Sequence, residues 1–211
     1  MADVFRKATR IAGAFTLGAT VSVSAGPVAT AQEWTGPYVG AALGVTVGHA
    51  EPPRANAHLV AGIQGEFRAG YLFGAGGFAI GPELVLSSGA IYGRTDYSNG
   101  FWQYRRIDGS ASLRMKAALP YERFLPYVAV GPTVASAAYN SSADYEISTN
   151  ILGATAAVGI EMDVGRGWSV VAEANATSYG TAVWQYPVVN GIRQEAQLGT
   201  AGLVVGINYR F

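Results

Sequence analysis

Eight segments of this chain, all beyond residue 31, alternate between apolar and small or polar residues with a period of two. That periodicity restricts the fold more than any other feature. A helix returns a side chain to the same face every three to four residues, a strand every second residue. In the first segment Val39, Ala41, Leu43, Val45 and Val47 alternate with Tyr38, Gly40, Ala42, Gly44 and Thr46. The next two apolar rows are Leu59, Ala61, Ile63, Phe67, Ala69, Tyr71 and Phe78, Ile80, Pro82, Leu84, Leu86. The fourth, Ile107, Ala111, Leu113, Met115, Ala117 and Leu119, stands against Asp108, Ser110, Ser112, Arg114 and Lys116. Phe124, Pro126, Val128, Val130, Pro132 and Val134 form the fifth row, and Leu152 to Val164 the sixth. Trp168, Val170, Ala172 and Ala174 form the seventh, and Leu203, Val205, Ile207, Tyr209 and Phe211 the last.

No charge falls on an apolar row. Glu66, Arg68, Glu83, Asp108, Arg114, Lys116, Glu161, Asp163, Glu173 and Arg210 all fall opposite. Lipid demands such a separation, since a lipid-facing Arg or Lys costs about 2–4 kcal/mol at the bilayer midplane. A soluble lipocalin-like barrel would also alternate, but with its apolar rows inside and its charges in water. Here the charged rows are crowded with Gly, Ala, Ser and Thr, as a narrow filled lumen prefers. Only 13% of the chain is charged, against about 25% in an average protein. The expected fold is all-β: an eight-stranded antiparallel up-and-down transmembrane β-barrel.

Residues 1–31 read as a secretory address that is cleaved, leaving 32–211 as the barrel. Arg6, Lys7 and Arg10 precede the uncharged run Ile11–Val23, and Ala29-Thr30-Ala31 supplies the small-residue cleavage pattern. Thirteen residues are too few for a helical span, which needs about 20. Removing Arg6, Lys7, Arg10 and Asp3 from 14 basic and 14 acidic residues leaves 11 and 13. Such a near-neutral chain carries no electrostatic footprint for nucleic acid.

The connections alternate in length. Leu72–Gly77, Pro120–Arg123 and Gly165–Gly167 are short and rich in Gly or Pro; Gly48–Asn56, Tyr92–Gly100, Tyr139–Asn150 and Ser178–Gln194 are long. Outer-membrane barrels follow this pattern, with tight periplasmic turns and longer outer loops. Aromatic residues gather at both ends. Tyr38, Phe78, Tyr121, Phe124, Trp168, Tyr209 and Phe211 lie near the short turns. Tyr92, Tyr97, Phe101, Trp102, Tyr104, Tyr139, Tyr145, Tyr179, Trp184 and Tyr186 lie near the long loops. Pro82, Pro126 and Pro132 cannot donate to a ladder, so bulges or breaks in pairing are expected there.

Motifs for other chemistry are weak. Gly74-Ala75-Gly76-Gly77-Phe78-Ala79 matches a dinucleotide fingerprint, but the alternating run with Pro82 that follows is no helix, so the motif reads as a turn. His49 and His58, with Glu51, have no zinc-site spacing, and Cys is absent. Nothing places a Ser and a carboxylate beside either His, so no catalytic residues, metal or cofactor are assigned. The informative set is the mixed-sign group Glu66, Arg68, Glu83, Asp108, Arg114, Lys116, Glu161, Glu173 and Arg210. Side chains fill the interior of an eight-stranded barrel, so these groups are expected to pair as a lumen charge network.

Trp34-Thr35-Gly36-Pro37-Tyr38-Val39-Gly40, Gly81-Pro82-Glu83-Leu84, Pro126-Tyr127-Val128, Gly159-Ile160-Glu161 and the terminal Tyr209-Arg210-Phe211 carry a likeness. Over residues 32–211 the chain resembles the small, porin-like, eight-stranded outer-membrane β-barrel proteins of Gram-negative bacteria. The resemblance implies an outer-membrane location. It also implies that the assembly machinery reads the last strand, through Leu203, Val205, Ile207, Tyr209 and Phe211. The function expected is a structural and surface-interaction role, with outer-membrane lipid around the barrel and an extracellular ligand at the long loops. A narrow channel for passive diffusion of small solutes is the alternative, and a lipid-modifying enzyme the third reading.

Overall fold

The computed structural model describes residues 34–51, 58–96, 102–141, 146–185 and 193–211. They form eight strands: β1 (Gly36–Glu51), β2 (His58–Ala75), β3 (Phe78–Asp96), β4 (Trp102–Ala118), β5 (Phe124–Ser141), β6 (Glu146–Gly165), β7 (Trp168–Gln185) and β8 (Arg193–Arg210). Each pairs antiparallel with its neighbours in sequence, and β8 returns to β1 from Tyr38↔Arg210 to Glu51↔Gln197, closing an eight-stranded barrel. The segment read as a cleaved address, residues 1–31, lies outside the described residues. So do the side chains of His49, Glu51 and His58 and of the aromatic residues near the long loops, Tyr179 excepted.

The apolar rows face outward. Leu43, Ile63, Leu113, Val128, Val130, Leu152, Leu203 and Val205 are all exposed, whereas Arg68, Glu83, Lys116 and Glu161 are fully buried. In water this would be an inverted protein; in acyl chains it is the low-energy arrangement, because exposed apolar surface loses nothing there. Phe78, Tyr121, Phe124, Trp168 and Phe211 form an exposed aromatic rim at the short-turn end, with Tyr209 5.0 Å from Trp168 and 5.1 Å from Phe211 between ring centroids.

The short turns close where the backbone requires it. Gly76 and Gly77 make the whole connection between β2 and β3, and Gly76 sits at φ 64°, a conformation that a side chain disfavours. Arg166, at φ 57°, lies between Gly165 and Gly167 in the turn after β6. At the other end the strands run further than the sequence suggests: β1 reaches Glu51, β3 Asp96, β5 Ser141 and β7 Gln185. An 18-residue strand such as β2 is roughly 60 Å long at about 3.3 Å per residue. Tilted by about 40° it rises roughly 45 Å, more than an apolar band about 25 Å tall. The hairpins therefore project beyond the lipid on the long-loop side.

Two of the three prolines, Pro82 and Pro132, break pairing without shifting it, and Pro126 breaks none. Pro82 leaves a gap against β2 between Gly70↔Glu83 and Phe73↔Ile80, yet the register is the same on both sides and Pro82 still faces Met115 on β4. Pro132 leaves a similar gap against β4, between Ser112↔Thr133 and Met115↔Val130, while Pro132↔Ala154 keeps it paired with β6. Pro126 stays in the β5–β6 ladder, and its carbonyl accepts the Leu119 N–H at 2.9 Å. A residue in an antiparallel ladder bonds to one neighbour only, so proline costs a donor on one side and leaves the other intact. At both gaps glycine precedes proline. A Cβ on Gly81 would run into the Tyr71 carbonyl, and one on Gly131 into that of Leu113.

The register shifts lie elsewhere, and one corrects the sequence reading. Pairing slips between Ser88 and Ile91 on β3 and between Ile107 and Gly109 on β4. An inserted residue reverses the faces beyond it. Ile107, expected on the lipid row, is only 6% exposed. Asp108, expected in the lumen network, instead forms an ion pair with Arg106, and their side chains are 39% and 41% exposed. The sequence mark was Gly109, which interrupts the apolar row.

Candidate functional site

Glu66 and Arg68 come from β2, Glu83 from β3, Arg114 and Lys116 from β4, Glu161 from β6, Glu173 from β7 and Arg210 from β8. The inward phase of each strand turns these eight side chains toward the axis, and the register joins them in one connected band that runs from Glu66 to Arg210 at the short-turn end. Glu83 pairs with Arg114 across the β3–β4 ladder.

The geometry is that of a cross-linked layer. Arg114 reaches Glu83 through Nη2 at 2.5 Å and Nε at 3.1 Å. It also grips both oxygens of Glu173, at 2.8 and 3.0 Å, in the fork geometry that only guanidinium offers. Arg68 bridges Glu66 at 2.6 Å and Glu173 at 3.2 Å. Lys116 bonds Glu161 and lies 3.8 Å from Glu83. The Tyr127 hydroxyl donates to Glu173 at 2.7 Å and the Tyr38 hydroxyl to Glu83 at 2.8 Å. Ser169 donates to Glu161 at 3.1 Å, and Gln64 to Glu66 at 3.0 Å. Lys116 also lies over the rings of Tyr127 and Tyr38, at 3.9 and 5.0 Å.

Four carboxylates thus meet four cations, and each carboxylate accepts bonds from neutral donors or faces more than one cation. Buried charge is tolerable on such terms and costly otherwise. Beneath the layer, toward the short turns, Trp34, Leu72, Ala79, Ala118, Leu125 and Val171 are buried with the two tyrosines. Above it Thr46, Ser87, Ser110, Ser112, Thr155 and Thr177 line a hydroxyl-rich cavity whose walls include Glu66 and Arg114. Its room for the centres of water molecules is about 40 Å³. One water needs about 10–15 Å³, so the space suits a few waters rather than an open bore.

Strand phase in the sequence picks out these eight charges but not the phenols that complete them. Tyr38, expected among the interfacial aromatic residues, is 1% exposed and bonds Glu83 inside; Tyr179, expected near a long loop, is 5% exposed and lines the hydroxyl cavity. The signal was present for Tyr38 and Tyr127, which stand on inward rows opposite Val39 and Val128.

With this geometry in view, the model of a family described as outer membrane protein beta-barrel domain matches residues 15–211. No curated protein matches the chain. Among solved structures, Neisserial surface protein A shares 13% identity at a TM-score of 0.54, over 84% of this chain and 98% of its own. The outer membrane protein OprG of Pseudomonas aeruginosa shares 12% at 0.54, over 84% and 96%. The outer membrane protease OmpT of Escherichia coli shares 8% at 0.50, over 83% and 97%. Such distant likeness speaks for the shared barrel fold alone.

Proposed function

The chain belongs to the outer membrane protein β-barrel family and resides in the bacterial outer membrane, and from that premise we propose that it is a structural and surface-interaction barrel with a sealed lumen. The observation that carries the reading is the ion-pair layer. Arg68, Glu83, Lys116 and Glu161 are fully buried, and the donors and acceptors of the layer are largely satisfied within it. An ion crossing that level would have to part several of these pairs, each a multi-kcal/mol cost in a water-poor interior. The hairpins beyond the lipid then serve as the surface that meets an extracellular ligand, while lipid surrounds the apolar band.

Refolded protein in planar bilayers is expected to give no steady conductance; persistent openings would establish the diffusion-channel reading instead. On this reading the barrel is also non-enzymatic. Overexpression is therefore expected to leave lipid A masses unchanged, and a new lipid A species would refute that part.

On this reading the assembly machinery recognises β8. Leu203, Val205, Ile207 and Phe211 present an outward apolar edge, a shape suited to capture during insertion. Deleting Phe211 is expected to reduce the heat-modifiable, folded form in outer-membrane fractions several-fold. The same deletion in protein refolded into detergent should cost only the Phe211 N–H bond to the Pro37 carbonyl and the edge contact with Tyr209, well short of a loss of folding. Equal outer-membrane yields would remove the terminal residue from that role.

A further inference from the structure

The lipid-facing wall is not uniform. Across β8, β1, β2 and β3 it carries a groove of about 660 Å³, open to the hydrocarbon, with Leu43, Phe67, Leu86, Val205 and Ile207 as walls and Ala41 and Gly65 at its floor. The register makes these residues neighbours: Ala41 pairs with Phe67 and Ile207, and Leu43 with Gly65 and Val205. Gly65 opens the groove, and the fold does not require it. Among the described residues of the lipid-facing rows below the register slips, it is the one glycine. A Cβ there would meet only Leu43 Cδ2 at 3.7 Å and the Ser88 carbonyl at 3.9 Å, both ordinary contacts, and its φ is not in the left-handed region. By contrast, a Cβ on Gly44 of the inward row would run into the Leu203 carbonyl. Glycine weakens a strand and marks places where another group comes close.

The height of the groove selects its occupant. Gly65 pairs with Ser88, and Ala75 pairs with Phe78 ten residues away on each strand. At about 3.3 Å per residue and a tilt of about 40°, that is roughly 25 Å above the short-turn rim, the height of the apolar band. The groove descends from there toward Ile207, so it lies mainly in the half of the band nearer the long loops, which is the outer leaflet. At its upper end the first outward polar groups appear. Ser88 is exposed and pairs with Gly109 on β4, beside the exposed Arg106–Asp108 ion pair. An amphiphile with its chain in the groove therefore has its head group at these residues. A second barrel would present a convex wall, which rests on the exposed Leu43 and Phe67 without reaching Gly65. A single acyl chain reaches the floor and gains dispersion contacts that an empty slot forfeits. A straight, saturated chain is ordered there at the least cost, and the outer leaflet of this membrane is built from lipid A, whose chains are saturated.

We propose that this groove is a binding site for one acyl chain of lipid A, laid along Gly65 and Ala41 with its head group at the level of Ser88 and Asp108. The site rests on the outward apolar face meeting lipid, and it is independent of whether the lumen conducts.

The test is native mass spectrometry of the barrel, extracted from outer membranes in detergent, stripped of lipid and titrated with lipid A or with dipalmitoyl phosphatidylethanolamine. Lipid A is expected to saturate at one molecule per barrel, and the phospholipid to bind at least about tenfold more weakly, equal to about 1.4 kcal/mol. Gly65→Leu and Ala41→Leu fill the groove and are each expected to weaken lipid A by a similar factor. Ala156→Leu adds bulk to the outward row of β6, where Ala156 is exposed and pairs with Val130, and is expected to leave the affinity unchanged. Heat-modifiable gel mobility reports that each variant is folded. The Gly65 position accepts a side chain without a clash, so G65L is the decisive variant if A41L does not fold. Absence of saturable lipid A binding, equal binding of the phospholipid, unchanged lipid A affinity in folded G65L, or an equal loss in A156L would overturn the assignment.

Discussion

Arg114→Ala is expected to lower the unfolding free energy by about 3–5 kcal/mol, the range for breaking a buried ion pair by removing one partner. Arg114 is 3% exposed and holds two carboxylates at once, Glu83 and Glu173. Without it, Glu173 keeps Arg68 and Tyr127, and Glu83 keeps Lys116 and Tyr38. Both then bury negative charge with less compensation, and a cavity remains where the guanidinium was. Glu83→Ala in the same background should add less than it costs alone, because the two side chains share one network. The measurement is urea unfolding followed by heat-modifiable gel mobility. Arg123→Ala, on an exposed turn, is the reference and should shift stability by no more than about 0.5 kcal/mol. Coincident midpoints for R114A and R123A would mean that the layer does not hold the barrel together.

Val130→Arg is the second large effect, expected to cost about 2–4 kcal/mol in a bilayer. Val130 is 61% exposed at the middle of the apolar row of β5 and pairs with Met115 on β4. A guanidinium there must enter hydrocarbon or drag water and headgroups inward. Phe78→Arg, at the aromatic rim, should cost only about 0–1 kcal/mol, since its charge reaches the interface. The gradient is the informative part. Reversible unfolding of both variants from lipid vesicles measures it, and equal costs at the two depths would contradict a lipid-facing outer surface.

These expectations rest on different amounts of sequence information. The outward rows could be read directly, because lipid excludes charge from every second position and so writes its preference into the periodicity. Grouping Glu66 with Arg68, and Arg114 with Lys116, needed only strand phase. The aromatic rim needed more: Phe78 and Trp168 lie on it, but Tyr38 points inward, and proximity to a turn does not distinguish the two. Proline was misleading for a related reason. Its missing donor was visible at Pro82 and Pro132, whereas the neighbouring strand that would lose the bond was not.

By itself the sequence determined the fold class, the strand number and the side of each strand that meets lipid, since all three follow from alternation within a strand. Only the tertiary structure decided which charges touch. That depends on register between strands distant in the chain, as with Arg114 and Glu173, and on the slip near Gly109 that moves Asp108 outside and Ile107 inside. Register is a property of the closed ladder: each strand's position is fixed by both neighbours together, and a local pattern carries no record of that.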